Sequence, residues 1–147
     1  MPRLTIPPNF IGTLDSDTLT GEELNGSPGI AYGIFNDEII DTGKGCDKLT
    51  GQATATIGGT AYGIYGQGII KTGDGNDEII ATSTINEVQQ KVSIGGGINI
   101  ALGTGDDYFK GFGVATVDGG DGFDTLDLRA FNRSESDCIW CYFWQYP

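Results

Sequence analysis

The residues best suited to chemistry in this 147-residue chain are aspartates that recur at a fixed interval. The first four are thirty residues apart (47 − 17 = 30), and a fifth follows after seventeen (124 − 107 = 17): Asp17, Asp47, Asp77, Asp107 and Asp124. A period of this length is typical of stacked repeats in which each repeat forms one coil. Stacking brings the aspartates into register along one edge, and a row of carboxylates needs cations between its members.

Each aspartate lies near the end of a turn-like segment, and most of these segments are rich in glycine. The five segments are Gly12–Thr20 (GTLDSDTLT), Thr42–Thr50 (TGKGCDKLT), Thr72–Ile80 (TGDGNDEII), Leu102–Lys110 (LGTGDDYFK) and Gly119–Asp127 (GGDGFDTLD). Glycine allows tight positive-φ turns that aim carbonyl oxygens inward, beside the carboxylate. Two stacked turns together offer roughly the six oxygens that Ca²⁺ prefers.

On these segments, over about residues 12–128, the chain resembles the RTX (repeats-in-toxin), or haemolysin-type calcium-binding, repeat family, whose pattern is G-G-x-G-x-D-x-U-x. The resemblance implies a β-roll or β-solenoid with Ca²⁺ between successive turns. It assigns ligand carboxylates to Asp47, Asp77, Asp107 and Asp124, and more weakly to Asp17, whose turn lacks two of the glycines. It assigns ligand carbonyls to the turn glycines Gly43, Gly45, Gly73, Gly75, Gly103, Gly105, Gly120 and Gly122.

The thirty-residue interval departs from the family, in which ligand turns recur about every eighteen residues (two nonapeptides). We therefore expect a larger, three-sided coil. Apolar residues recur with the same period, in the columns Leu19, Leu49, Ile79 and Phe109; Ile34, Ile64 and Ile94; Ile40, Ile70 and Ile100. Short β-branched runs bounded by glycine predict strands, and only Thr84–Ser93 has spacing compatible with a helical turn.

The predicted fold is an all-β, right-handed parallel β-solenoid, β-roll-like, of about four thirty-residue coils and a shortened last turn. Residues 1–11 are expected to be a lead-in and residues 12–128 the solenoid. Residues 129–147 form an atypical aromatic tail with both tryptophans and two of the three cysteines. The tail is either a cap on the open end of the solenoid or an end left by truncation or a shifted reading frame.

The charge balance limits the classes of ligand that the chain can bind. The chain has 8 Lys and Arg against 20 Asp and Glu, a net charge of −12, and no histidine. Such a chain does not hold nucleic acid phosphates by charge. An oxygen-rich, histidine-free ligand set suits Ca²⁺ before Mg²⁺ and well before Zn²⁺. The sequence has no run of the ~18 apolar residues that span a bilayer and no secretory signal in Met1–Ile11.

These observations predict an extracellular calcium-binding module that folds on binding Ca²⁺. With no visible leader, we expect the leaderless, type I secretion associated with the family. Beyond calcium ions, a cell-surface or appended-domain partner is left open. An enzyme is not expected, because no nucleophile with a base is visible. The alternative is a metal-independent structural or adhesive solenoid, in which the aspartates cap turns and Thr54 and Thr56 contribute to a flat surface.

Overall fold

The computed structural model describes residues 3–6, 8–25 and 28–128, together with the backbone of residues 143–144. Throughout this part of the chain the secondary structure consists of β-strands joined by turns, so the all-β prediction is confirmed. These residues contain no helix that is long and apolar enough to span a membrane.

Each of the first three turns of the chain contributes three main strands. They are β1 (Leu4–Ile6), β2 (Phe10–Ile11) and β3 (Thr18–Asn25); β4 (Ile30–Asn36), β5 (Ile39–Asp41) and β6 (Lys48–Ala55); β7 (Thr60–Tyr65), β8 (Ile69–Asp74) and β9 (Glu78–Ile85). The remaining strands are β10 (Val88–Gln89), β11 (Ile94–Thr104), β12 (Tyr108–Lys110), β13 (Gly113–Asp121), β14 (Thr125–Asp127) and β15 (Phe143–Trp144).

Strands of successive turns pair in parallel with an offset of thirty residues. The pairs that follow one position through the stack are Leu4 with Ile34, Ile34 with Ile64, and Ile64 with Ile94. The last turn is shorter, because Tyr108 pairs with Thr125, seventeen residues on. The described residues therefore form a parallel β-solenoid with three full turns. Each full turn leads from one copy of the motif to the next, from the first copy to the fourth. The predicted shortened turn leads from the fourth copy to the fifth.

The strands stack in three columns, which give the coil three sides. Face one contains β1, β4, β7 and the start of β11, and face two contains β2, β5, β8, the rest of β11, β13 and β15. The long strand β11 joins these two columns into one nine-stranded sheet. Face three is a separate sheet of β3, β6, β9, β12 and β14, with β10 paired antiparallel to β9. The glycine-rich turns lie where face two passes into face three.

The predicted apolar columns form the core. Ile34, Ile64, Ile40, Ile70 and Ile79 are fully buried, and Phe109 is 2% exposed. Burying one such side chain contributes on the order of 1.5–3 kcal/mol, and a single coil has nothing to bury it against. A second, smaller cluster of Ala31, Ala53, Ala55 and Ala61 lies between faces one and three, where small residues let the two faces approach.

Two segments differ from the sequence expectation. Residues 4–11, expected to be a lead-in, provide β1 and β2 and pair in the thirty-residue register, so the first coil begins before residue 12. The segment Thr84–Ser93 is not helical: β9 and β10 form a hairpin in which Asn86 and Glu87 have φ values of 49° and 64°. Positive φ at both central residues gives the turn the twist that antiparallel strands favour. The predicted aromatic tail, apart from the backbone of β15, lies outside the described residues.

Candidate functional site: the aspartate row

Asp17, Asp47, Asp77, Asp107 and Asp124, called the aspartate row below, lie one turn apart immediately before the strands of face three. The carbonyl of each aspartate before Asp124 accepts a hydrogen bond from the residue that begins the face-three strand one turn later, for example from Glu78 N–H to Asp47 at 2.8 Å. This parallel ladder fixes the spacing of the row. The structure therefore brings all five predicted carboxylates into one line.

Burial differs along the row. Asp47, Asp77 and Asp107 are 1%, 2% and 2% exposed, whereas Asp17 and Asp124 at the two ends are only partly buried. Carboxylates are almost never fully buried unless they are paired. The three central aspartates thus need an explanation that the two terminal ones do not.

One oxygen of each carboxylate after the first is used by the preceding turn. Oδ1 of Asp47, Asp77, Asp107 and Asp124 accepts the backbone N–H of the aspartate one turn earlier, at 2.7, 2.8, 2.7 and 3.1 Å respectively. A carboxylate that accepts a backbone N–H makes a short, charge-assisted hydrogen bond. The row is therefore also a structural element that links every turn to the next.

The second oxygen has no such role. Oδ2 of Asp47, Asp77 and Asp107 is buried and has no hydrogen-bond partner. An unsatisfied buried polar atom costs about 1–3 kcal/mol, and more when the group is charged. A cation beside these oxygens would remove this cost.

The pKa values reflect this cost. The pKa of Asp107 is raised to about 6. Burial is the largest cause, the carboxylates of Asp77, Asp124 and Asp106 add to it, and the hydrogen bond from the Asp77 backbone opposes the shift. Burial likewise raises the pKa of Asp77, with the charges of Asp47 and Asp74 adding to it, while the hydrogen bond from the Asp47 backbone and the nearby Thr72 hydroxyl oppose the shift. The Thr72 hydroxyl donates its proton to the Leu102 carbonyl at 2.7 Å, so it does not satisfy Oδ2 of Asp77. The ionised row is thus held at a cost in desolvation and mutual repulsion.

The nearest lysines in the sequence do not neutralise the row. Lys44 and Lys48 flank Asp47, but the ammonium of Lys44 lies 2.9 Å from Asp74 and that of Lys48 lies 2.5 Å from Glu78, both one turn later on the outer surface. These partly exposed pairs link neighbouring turns and leave the buried oxygens without a cationic side chain at hydrogen-bond distance.

The turn glycines have the backbone conformation that the sequence predicts. All eight have φ between 87° and 140°: Gly43, Gly45, Gly73, Gly75, Gly103, Gly105, Gly120 and Gly122. The carbonyl oxygens of the six glycines that precede the last turn, expected to aim inward, lie along the stack instead. The Gly73 oxygen occupies the place that a Cβ on Gly103 would take, and the Gly43 oxygen accepts the N–H of Asp74 at 3.0 Å. Glycine is required here both for its φ and for the close approach of the next turn.

Sequence reasoning missed a second ladder that lies one residue before the aspartate row. The side chains of Ser16, Asn76 and Asp106 accept the backbone N–H of Cys46, Asp106 and Phe123 in the following turn, at 2.8, 2.9 and 3.0 Å. This ladder runs in the opposite direction to that of the aspartate row. The signal that could have found it is the recurrence of a short polar side chain at this position in three of the five turns, with Cys46 and Phe123 in the other two.

Two buried threonines were also missed. The hydroxyls of Thr42 and Thr72 donate to the carbonyls of Thr72 and Leu102 one turn later, at 3.2 and 2.7 Å. These threonines occupy the position of the first glycine in the repeat pattern. Their hydroxyls connect the turns beside the buried carboxylates, which glycine could not do.

Within residues 3–128, excluding the undescribed positions 7, 26 and 27, no three His, Cys, Asp or Glu side chains converge as a metal-binding group. The aspartate row presents its carboxylates in a line rather than in a cluster. No protein-family model, no curated protein and no solved structure matches the chain. The resemblance to the RTX repeats thus rests on the motif residues alone.

Proposed function

We propose that this chain is a calcium-binding repeat module that folds on binding Ca²⁺ along its stacked turns. The observation that carries the proposal is the set of three buried carboxylate oxygens, Oδ2 of Asp47, Asp77 and Asp107, that have no hydrogen-bond partner. Their regular spacing supports an ion that recurs from turn to turn. A single asymmetric catalytic site would not require this repetition.

The donor chemistry suits a hard cation. The row offers only oxygen, the chain has no histidine, and its net charge is −12. Ca²⁺ takes six to eight oxygen ligands and tolerates irregular geometry. In the proposal Asp47, Asp77 and Asp107 hold the ions through Oδ2, with Asp17 and Asp124 at the ends of the row.

The remaining oxygens come, in this proposal, from the carbonyls of the turn glycines that the family resemblance names. The structure places six of these carbonyls against the next turn, and the Gly43 carbonyl accepts a hydrogen bond from the backbone N–H of Asp74. Ion binding therefore requires the glycine turns to adjust while the strands keep their register. Glycine is the residue that makes such an adjustment easiest.

In this proposal Ca²⁺ compensates the negative charge of the chain and thereby favours its folding. Without a cation, the acidic chain repels itself and its 25 glycines lose much conformational entropy on folding. A ligand that binds only the folded state stabilises it by about 2.7 kcal/mol per site at a hundredfold excess over Kd. Extracellular calcium modules bind in the ~10⁻⁴–10⁻³ M range, so we propose that the chain folds outside the cell.

A second candidate is a metal-independent structural or adhesive solenoid. It is favoured by the Oδ1 ladder, which gives each aspartate a structural role without any ion. In this case a proton on Asp77 or Asp107, whose pKa values are raised, replaces the cation there. The surface expected around Thr54 gives it little support, because Thr54 lies in register between Leu24 and Thr84, and Thr56 lies beyond the end of β6.

Far-UV circular dichroism in EDTA, followed by titration with Ca²⁺ or Mg²⁺, separates the two candidates. The calcium module should change from coil to β-structure in millimolar Ca²⁺, with a much weaker response to Mg²⁺. The double variant Asp77→Asn, Asp107→Asn keeps the Oδ1 acceptors of the ladder but removes two ligand charges. We expect it to need at least tenfold more Ca²⁺.

The matched control is Asp37→Asn, Asp118→Asn, which removes two exposed charges and keeps the acceptors for the N–H groups of Gln67 and Gly120. Its calcium midpoint should stay close to that of the original chain. A β-spectrum that is complete in EDTA and unchanged by Ca²⁺ would overturn the proposal in favour of the metal-independent solenoid.

A further inference from the structure

The C-terminal end of the described solenoid leaves part of the core uncovered. A shallow apolar depression opens there, lined by side chains that include Ile94, Phe109, Phe112, Val117, Leu126 and Leu128. Its lining comes from the last complete turn and from the shortened turn that follows. The depression is continuous with the main core, since Val117, Leu126 and Leu128 pack against the buried cluster.

Within the described part of the chain, the inward-facing residues of the last turn lack the covering layer that earlier turns have. Ile100 and Phe109 are each 2% exposed, because the next turn covers them with Val117 and Leu126 at the same register positions. Val117 and Leu126 themselves are only partly buried. These two residues are core residues by position, and they need a covering layer.

The segment that follows has the composition of such a layer. Between residues 139 and 147 the chain contains Ile139, Trp140, Tyr142, Phe143, Trp144 and Tyr146. This density of large apolar side chains would be a liability if it were exposed. The whole C-terminal segment, residues 129–147, follows Leu128, which itself lines the depression.

The backbone of β15 indicates where the segment goes. Phe143 and Trp144 pair in parallel with Val117 and Asp118 on β13, on the edge where a further turn of face two would lie. By register, Phe143 occupies the position that follows Ile100 and Val117 in the stack. The fourteen residues between Leu128 and Phe143 (143 − 128 − 1 = 14) can span roughly 46–50 Å when extended, well beyond the ~30 Å length of the nine-residue β13.

We propose that residues 129–147 are the cap of this solenoid: the segment folds back over the depression and closes both the core and the free edge of β13. The occupant of the apolar depression is thus this chain's own C-terminal segment. Terminal caps of this kind keep repeat proteins from pairing end to end, so the folded chain is expected to be a monomer. The proposal does not depend on calcium.

The sequence offers a built-in probe, because both tryptophans, Trp140 and Trp144, lie in the proposed cap. In any buffer that gives the β-spectrum, tryptophan emission should be blue-shifted relative to the urea-unfolded chain. Its quenching by acrylamide should be several-fold weaker than in urea. Sedimentation should give the mass of one chain.

Val117→Asp places a charge in the depression and should shift the emission towards that of the unfolded chain. Thr116→Asp is the matched control, because it adds the same charge to the outward-facing neighbour on β13, and its emission should not move. If Val117→Asp loses the β-spectrum, quenching and mass of the unmodified chain decide the question.

Three results would overturn the proposal. The first is tryptophan quenching in the folded protein equal to that in urea, which would mean that the segment does not pack. The second is a folded Val117→Asp variant with unchanged emission, which would place the tryptophans elsewhere. The third is protected tryptophan that becomes exposed on dilution together with dissociation of a dimer, which would make a second copy the occupant.

Discussion

The backbone N–H of Asp77 donates to Oδ1 of Asp107 at 2.7 Å, while Oδ2 of Asp107 is buried without a partner. The two oxygens of one carboxylate thus have opposite effects. The hydrogen bond to Oδ1 joins neighbouring turns and favours the ionised form, whereas desolvation of Oδ2 disfavours it. Because the pKa of Asp107 is raised to about 6, desolvation and neighbouring charges outweigh the hydrogen bond.

The stability of the metal-free chain should therefore fall as the pH rises. Asp107 has a pKa of about 6 when folded and about 3.8 as its ordinary value, so between these values the folded state holds a proton that the unfolded state has released. The free energy of unfolding then decreases with pH across this window. In EDTA, at each pH where the chain keeps its β-spectrum, thermal unfolding between about pH 4.5 and 7.5, limits set by those pKa values, should show a Tm that falls until about pH 6.5 and then levels off.

Asp107→Asn is the control for that pH dependence. The variant keeps an acceptor for Asp77 N–H but cannot ionise, so its Tm should vary less between these pH values. At pH 7.5 the free energy of unfolding of the variant should exceed that of the original chain by about 1 kcal/mol, after the pKa shift is discounted for solvent screening. A Tm of the unmodified chain that rises through this window would contradict the assignment of the buried carboxylate.

Calcium binding, if the proposed function holds, should release protons at mildly acidic pH. A Ca²⁺ ligand must be ionised, whereas Asp107 and, to a smaller degree, Asp77 retain protons longer than ordinary aspartates. Titration calorimetry at pH 6 in two buffers of different ionisation enthalpy measures this release directly. We expect a positive proton count at pH 6 that approaches zero at pH 8, and equal heats in both buffers at pH 6 would contradict the prediction.

The sequence predicts much of the fold because the same residue types return after each turn. The thirty-residue register, the isoleucine columns and the positive φ of glycines such as Gly73 all follow from this repetition. The sequence does not indicate which partner each carboxylate oxygen takes. That choice depends on the spacing of stacked turns, which lets Oδ1 of one aspartate reach the backbone of the preceding one.

Features without a repeat were harder to predict. The turn at Asn86 and Glu87 has positive φ without glycine, and Asn86 alone is a weak signal for a hairpin. The strands β1 and β2 were not predicted because the glycines of the motif are absent beside them, although Leu4 and Phe10 fit the apolar columns at Ile34 and Ile40. In each case the tertiary pairing decides a structure that the local sequence leaves open.

Replacement of a stacked glycine should cost far more than replacement of an open one. Gly103→Ala places a Cβ where the Gly73 carbonyl oxygen lies, at φ 111°, and should destabilise the fold by about 3 kcal/mol through the clash and the backbone strain together. Gly58→Ala is the matched control. It has φ 82° with no atom within 4 Å of the added Cβ, so strain alone should cost about 1 kcal/mol.

Urea unfolding of both glycine variants, in a buffer where the original chain is folded, measures the two costs. Equal destabilisation would mean that the turns separate enough to admit a side chain. The close stack of carbonyls against glycines would then not be what limits the approach of successive turns.

Truncation of a core isoleucine should identify the packing that holds the turns together. Ile70 is fully buried between Ile40 and Ile100, its pairing partners on face two. Ile70→Ala should cost about 2–5 kcal/mol, because the flanking turns cannot collapse into the space without breaking register. Ile57→Ala removes the same atoms from a side chain that is 72% exposed and should cost less than about 0.5 kcal/mol. Denaturant midpoints for the two variants provide the comparison, and a small loss in Ile70→Ala would show that adjacent turns are held mainly by their backbone ladders.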